Sequence, residues 1–183
     1  MKTNVSVIVC VKDAEKHIHK CISSLLDQTF KDFEVIIIED GCSDNTPRII
    51  KKFKDERIRY FRNTKNLGIA KSRNKGLKLS SGEYIFFTDA DCVVHKNWIE
   101  QGLKSLKNQE YVGVEGKIYY VSDDYKPTFS DHVCKNECGG HFMTGNIAYK
   151  RDIIESVGGF DEKYDYHEDR DLALRILKHG KIC

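Results

Sequence analysis

The chain has 183 residues, 40% of them hydrophobic and 32% charged, which suits one domain with a real core. A formal net charge of +2 is too small to argue for nucleic acid or an electrostatically held membrane surface as partner. No apolar run approaches the length of a membrane span, and the first residues lack a signal-peptide pattern. The 7 cysteines are odd in number and scattered, which suits a reducing cytoplasm better than a disulfide scaffold. Cys134 and Cys138, flanked by His132 and His141, could hold zinc, but the spacing is loose and no second cysteine pair exists.

In chain order, Val5–Val11 is a continuous apolar run and reads as a buried strand. Asp13 is the expected cap of a helix that carries Ile18, Cys21, Ile22, Leu25 and Leu26 to about Gln28. A second buried strand covers Phe33–Ile38 and ends in Glu39-Asp40-Gly41. Thr46-Pro47 opens a helix with Ile49, Ile50 and Phe53 inward, and Ile58–Phe61 is a third strand. Asn66-Leu67-Gly68 leads into a helix reaching about Leu79, followed by a strand over Glu83–Thr88. Asn97 is the expected cap of a helix with Trp98, Ile99, Leu103 and Leu106. Tyr111–Val121 and Phe142–Tyr149 read as strands around a long polar excursion, Ser122–Gly140. Asp152–Val157 is a short helix stopped by Gly158-Gly159. A last amphipathic helix runs from Glu168 to about His179, and Lys181–Cys183 looks like the start of another strand, as if the chain were truncated. This alternation predicts an α/β fold, a three-layer α/β/α sandwich with a mostly parallel sheet.

The chemistry gathers where strands end. Asp89 and Asp91, separated by Ala90, follow the fourth strand, and open parallel sheets bind ligands beyond the carboxyl ends of their strands. Two carboxylates about 4 Å apart repel by roughly 4 kcal/mol at an effective dielectric near 20, so a proton, a basic side chain or a hard divalent cation must neutralise them. A solvated acidic turn is the bland alternative. Asp40 ends the second strand on the same edge and could accept hydrogen bonds from a nucleobase or sugar, or simply cap a turn. Arg73 could reach a phosphate as a planar donor, or be an ordinary helix arginine. Glu168, Asp169 and Asp171 stand at a helix start, where acids complement the dipole; one facing the ligand edge would also serve as a general base.

Val5-Ser6-Val7-Ile8-Val9, Glu39-Asp40-Gly41-Cys42-Ser43-Asp44, and Asn66-Leu67-Gly68 with Ser72-Arg73-Asn74 are similar to family-2 inverting glycosyltransferases of the GT-A fold. So are Gly82-Glu83-Tyr84 through Asp89-Ala90-Asp91, and Gly158-Gly159-Phe160-Asp161 leading to Glu168-Asp169-Arg170-Asp171-Leu172. The resemblance covers nearly the whole chain in the right order. It implies a single GT-A domain over 1–183, Rossmann-like in its nucleotide-binding half to about 110, with an acceptor-side half beyond it that is incomplete. Carried over by position, Asp40 is the expected nucleobase contact. Asp89 is a ribose or sugar ligand, with Ala90 and Arg73 also on the nucleotide sugar, and Asp91 is the carboxylate for Mn²⁺ or Mg²⁺. Asp169 is the expected base, and Gly145, Asn146 and Glu168 lie toward the acceptor. The partners implied are a nucleotide-sugar donor, with UDP favoured, and a glycan, lipid-linked or other hydroxyl acceptor, in the cytoplasm with room for peripheral association at the membrane's inner face. Two departures stand out: Cys10-Val11-Lys12-Asp13 replaces the more usual Pro/Thr-x-Tyr-Asn, and the family's later segment, which often brings a histidine toward the metal, is absent.

Three rivals stand beside this reading. A sugar-phosphate nucleotidyltransferase would need a glycine-rich basic loop after the first strand, and Cys10–Asp13 is not that. A receiver-like signalling domain needs an acidic pair there, where only Asp13 is available. The last is a catalytically incomplete domain that only binds a nucleotide sugar.

Overall fold

Strand β1 (Val5–Val11) is apolar on both faces because both faces are covered. Val5, Val7, Val9 and Val11 pack into one core, while Ile8 packs into the other. The computed structural model describes residues 3–119 and 139–183. After β1 come α1 (Ile18–Leu26), β2 (Phe33–Glu39), α2 (Thr46–Ile50), β3 (Ile58–Arg62), α3 (Ile69–Leu79) and β4 (Tyr84–Phe87). Then follow α4 (Trp98–Leu106), β5 (Tyr111–Glu115), a 3₁₀ turn (Thr144–Asn146), β6 (Ile147–Lys150), α5 (Arg151–Ser156), α6 (Glu168–Ile176) and β7 (Lys181–Ile182).

Among the described residues the strands form one sheet of 7, ordered β3-β2-β1-β4-β6-β5-β7. β1 pairs in parallel with β2 and β4, and β2 with β3; β6 runs antiparallel between β4 and β5. The α/β sandwich is therefore as expected, with β6 the reversed strand. Ile18, Ile22 and Leu25 of α1, with Ile99, Leu103 and Leu106 of α4, close one face. Ala70 and Leu77 of α3, Ile154 of α5, and Leu172 and Ile176 of α6 close the other. Burying each leucine or isoleucine among them stabilises the fold by about 1.5–3 kcal/mol before the entropy cost of ordering it.

This topology fixes where a ligand can enter. The chain steps outward from β1 to β2 to β3, then returns to the other side of β1 for β4. At such a switch the connections leave in opposite directions and open a crevice at the carboxyl ends of the strands. Gly82 makes the return possible: a Cβ there would lie 2.5 Å from the Ser6 nitrogen. The same turn is tied down from below, since buried Glu34 accepts hydrogen bonds from Ser6 Oγ (2.7 Å) and the Ser81 amide (2.6 Å) and pairs with Arg59 (2.6 Å).

Several local expectations are corrected. Asp13 does not cap α1: it sits at φ 48°, and its carboxylate crosses to accept the Ser43 amide (2.7 Å) and hydroxyl (3.1 Å). His17 occupies the N-cap of α1, and Asn45 rather than Thr46 that of α2. Thr46 instead accepts the Ala14 amide at 2.8 Å, stitching the loops after β1 and β2 together. Asn97 does stand at the N-cap of α4 but makes no side-chain cap there; its Oδ1 meets His95 Nδ1 at 2.5 Å. The segment expected as a strand from Phe142 begins pairing only at Ile147, after the 3₁₀ turn. The proposed zinc ligands His132, Cys134 and Cys138 and most of the polar excursion lie outside the described residues.

Candidate active site

Asp40, one residue beyond β2, is 5% exposed and its amide donates to Val11 O at 2.8 Å. Its Oδ1 accepts the Asn63 side-chain amide and the Leu67 backbone N–H, both at 2.8 Å, and its Oδ2 accepts the Gly68 N–H at 3.0 Å. The carboxylate therefore holds the loop that delivers α3, and much of its acceptor capacity is already used. Gly41, at φ 72°, lets that loop come close, since a Cβ would lie 2.8 Å from the Asn66 nitrogen. Asn63, buried and bridged to Ser72 (3.0 Å) and Lys75 (2.6 Å), completes a support that sequence reasoning missed.

Beyond Asp40 lies a cavity of about 430 Å³ lined by Cys10, Val11, Lys12, Asn66, Gly68, Ile69, Asp165 and Tyr166 as well as Asp40 itself. The Cys10 thiol is pushed up to about 12 by burial, against the pull of Arg73, so it stays protonated and neutral. Asp165 and Tyr166 belong to the turn before α6, and nothing in their spacing marked them as part of this wall.

Arg73 of α3 sits at the centre of the edge. Its guanidinium is bonded through Nη1 to Glu168 and through Nη2 to Asp89 at 3.2 Å, and it lies 5.6 Å from the centre of the Phe160 ring. Its sequence position allowed a phosphate donor or an ordinary helix arginine; in the structure it is buried and bonded to two carboxylates. Next to it, Asn74 donates to Phe160 O (2.9 Å) and accepts the Phe160 N–H (2.9 Å), clamping the Gly158-Gly159 turn. Together these bonds carry the start of α6 to the end of β4.

The three acids of that start then separate. Glu168 is buried against Arg73, on the same face as Leu172 and Ile176. Asp171 pairs with Arg175 at 2.6 Å, while Arg175 also donates to Val157 O at 2.7 Å, so both brace the helix. Asp169, half-buried, accepts the N–H of Arg170 at 2.7 Å and has no ion-pair partner among the described residues. It lies near enough to Asp89 to raise that carboxyl electrostatically.

Asp89 is the crowded member of the acidic pair. Desolvation raises its carboxyl above the ordinary aspartate range, Arg73 opposes this, and Asp91 and Asp169 add to it. The crowding is one-sided, because 45% of the side chain remains open. Ala90 is buried in the core face and offers no polar side chain, whereas Asp91 is exposed. Asp89, Asp91 and Cys92 bring ligand atoms within 4.8 Å of one another. The Cys92 thiol is raised to about 12, first by burial and then by the two aspartates.

Gly145 borders Asp89: a Cβ there would lie 3.3 Å from Asp89 Oδ2, and its carbonyl accepts the Thr88 hydroxyl at 3.0 Å. Asn146 is used differently from the acceptor contact expected of it. Its side chain accepts from Trp98 Nε1 (2.7 Å) and donates to Lys117 O (2.9 Å), fixing the entry into β6.

A sequence model described as Glycosyl transferase family 2 matches residues 6–158. The chain is 32% identical over 183 residues to UDP-Glc:alpha-D-GlcNAc-diphosphoundecaprenol beta-1,3-glucosyltransferase WfaP of Escherichia coli, covering 96% of this chain and 71% of WfaP. It spans only 24–62% of the length of three other curated relatives. Among solved structures, S. aureus TarS 1-349 in complex with UDP-GlcNAc superposes with a TM-score of 0.80 at 22% identity, over 98% of this chain and 55% of that one. The mannosyltransferase PcManGT from Pyrobaculum calidifontis, in complex with GDP-Man and Mn²⁺, superposes with a TM-score of 0.78 at 20% identity, over 100% of this chain and 54% of that one. At these identities the two structures speak for the fold.

Proposed function

The chain belongs to glycosyl transferase family 2, and on that premise we propose that it moves a sugar from a nucleoside-diphosphate sugar to an acceptor hydroxyl with inversion. One observation carries the residue assignments: Arg73 ties Glu168 to Asp89, which sets the start of α6 beside the end of β4 and leaves Asp91 and Asp169 as the carboxylates there without an ion pair among the described residues. UDP is the favoured nucleotide, supported by the donor in WfaP's name and the ligand of the TarS complex. The acceptor we favour is a glycan or lipid-linked hydroxyl, the class WfaP's name describes.

The donor set fits a hard divalent cation. Asp89 and Asp91 offer carboxylate oxygens, which hard Mg²⁺ and Mn²⁺ prefer over the soft Cys92 sulfur beside them. Mg²⁺ or Mn²⁺, held by Asp91, would supply Lewis-acid stabilisation of the departing diphosphate. Asp40 and the loop it holds border the nucleoside, and Asp89 orients the sugar. Asp169 takes the proton of the acceptor hydroxyl, whose oxygen forms the new bond to the anomeric carbon. The bond from that carbon to the diphosphate oxygen breaks, and its electron pair leaves with the nucleoside diphosphate. Arg73 and Glu168 act by holding the two carboxylate-bearing elements in register. No helix among the described residues is long and apolar enough to cross a membrane.

The test is nucleoside diphosphate release from a panel of nucleotide sugars, with and without a glycan acceptor, in Mn²⁺ or Mg²⁺. Acceptor-stimulated release from a UDP-sugar is expected. A protein that is folded yet neither binds UDP nor releases it from any donor would refute the assignment.

A further inference from the structure

Tyr166 is 81% exposed, so its ring packs against little of the protein, yet it lines the same cavity as Asp40, Val11 and Ile69. Among the described residues it is the single aromatic one of that wall. Its position is set from both sides. Asn74 clamps Phe160 at the start of the turn, and the Arg73 pair anchors Glu168 at its end. His167, at φ 65°, turns the chain between the ring and the helix.

The cavity also has a distinct chemical character. Asp40 and Asp165 line it with carboxylates and Lys12 with an ammonium, so the wall offers both acceptors and a donor to a polar group. Val11 and Ile69 add apolar surface, and the exposed phenol ring of Tyr166 offers a flat π-face. A planar heterocycle with N–H groups satisfies all of these together. We infer that Tyr166 is a donor-binding residue whose ring stacks on the nucleobase and covers it within this cavity. The inference rests on the nucleotide-sugar reading above and adds to it a residue outside the strand-end acids. Stacking of this kind is tolerant of base identity, so Tyr166 contributes affinity while edge contacts discriminate between bases. It also places the base-binding ring three residues before Asp169, in the turn that leads into α6.

The experiment is calorimetric titration of the full chain with UDP in Mg²⁺, for the parent protein, Tyr166→Ala and Tyr166→Phe, with circular dichroism confirming that each is folded. Loss of a base–aromatic stack should weaken UDP binding by about fivefold to 150-fold in Tyr166→Ala, while Tyr166→Phe stays within about twofold. A Tyr166→Trp variant adds a direct readout, since a stacked base should quench the new indole well beyond any change seen from Trp98 in the parent. Parent-like UDP affinity in Tyr166→Ala, or an unquenched indole at saturating UDP, overturns the role of Tyr166 and leaves the donor reading standing. Absence of UDP binding in the folded parent overturns the donor reading, and this inference with it.

Discussion

Replacing Arg73 by methionine keeps most of the side-chain volume and removes the charge that Glu168 and Asp89 share. The consequences for the two carboxylates differ. Asp89, with 45% of its side chain open, can recover much of its stabilisation from water. Glu168, with 9% open, cannot, and an uncompensated buried charge typically costs 3–5 kcal/mol. A proton limits that cost: neutralising an ordinary glutamate with a pKa near 4.3 at pH 7 costs about 2.7 units at 1.36 kcal/mol each, or about 3.7 kcal/mol. At pH 5 the same step costs only about 1 kcal/mol. Arg73→Met should therefore destabilise the chain by about 3–4 kcal/mol at pH 7 in urea unfolding, and by some 2–3 kcal/mol less at pH 5. The sign follows from linkage: once deserted, a native carboxylate that holds its proton makes stability fall as pH rises. Adding Glu168→Gln to Arg73→Met should recover most of the loss at pH 7. A cost below about 1 kcal/mol at pH 7, or one unchanged at pH 5, would mean the pair is solvated and does not hold α6 against β4.

Asp169→Asn should abolish acceptor-stimulated transfer while UDP affinity and urea stability stay close to the parent, because a general base acts only in the chemical step. If Glu168→Gln loses transfer without losing stability and Asp169→Asn does not, the base is wrong by one residue. Asp91→Asn should leave the fold intact and remove the gain in UDP affinity that Mn²⁺ confers; binding indifferent to both chelator and substitution would return Asp91 to an ordinary exposed turn. Asp55, lowered from 3.8 to about 2 chiefly by its hydrogen bond from Arg57, stabilises the fold above its unfolded value and loses that contribution as pH falls through about 2. Asp55→Asn should accordingly flatten the acid limb of a stability profile between about pH 4 and 2, and an unchanged limb would show that the contact is absent in solution.

What could be read from the sequence and what could not divide along a physical line. Continuous apolar runs such as Val5–Val11 and Phe33–Ile38 matched β1 and β2 to within a residue, because a strand buried on both faces must be apolar throughout. The paired acids after β4 were legible for a similar reason, since a strand end followed by Asp89 and Asp91 carries its own local signature. The opening of β6 was misread because Phe142 and Met143 have strand-like chemistry while Thr144–Asn146 wind into a 3₁₀ turn to set Gly145 against Asp89. Asp13 was misread because a residue at φ 48° is no helix cap, and its partner loop lies 30 residues away.

The hardest feature to see was the partnership of Arg73 with Glu168, 95 residues apart in sequence. Helix geometry alone put Glu168 and Leu172 on one face of α6, since residues four apart align, and Glu168 is indeed buried there. Geometry could not say that a buried arginine awaited it. Sequence position alone allowed Glu168 to stand in as the base. Burial against Arg73 argues otherwise: a role that changes the charge of Glu168 would break the ion pair that positions the helix. Asp169, half-buried and without that tether, can take a proton from an acceptor hydroxyl at far smaller structural cost. Dipole complementarity explains why acids cluster at this helix start, and the arginine beneath explains why Glu168 is buried in an ion pair while Asp169 is not.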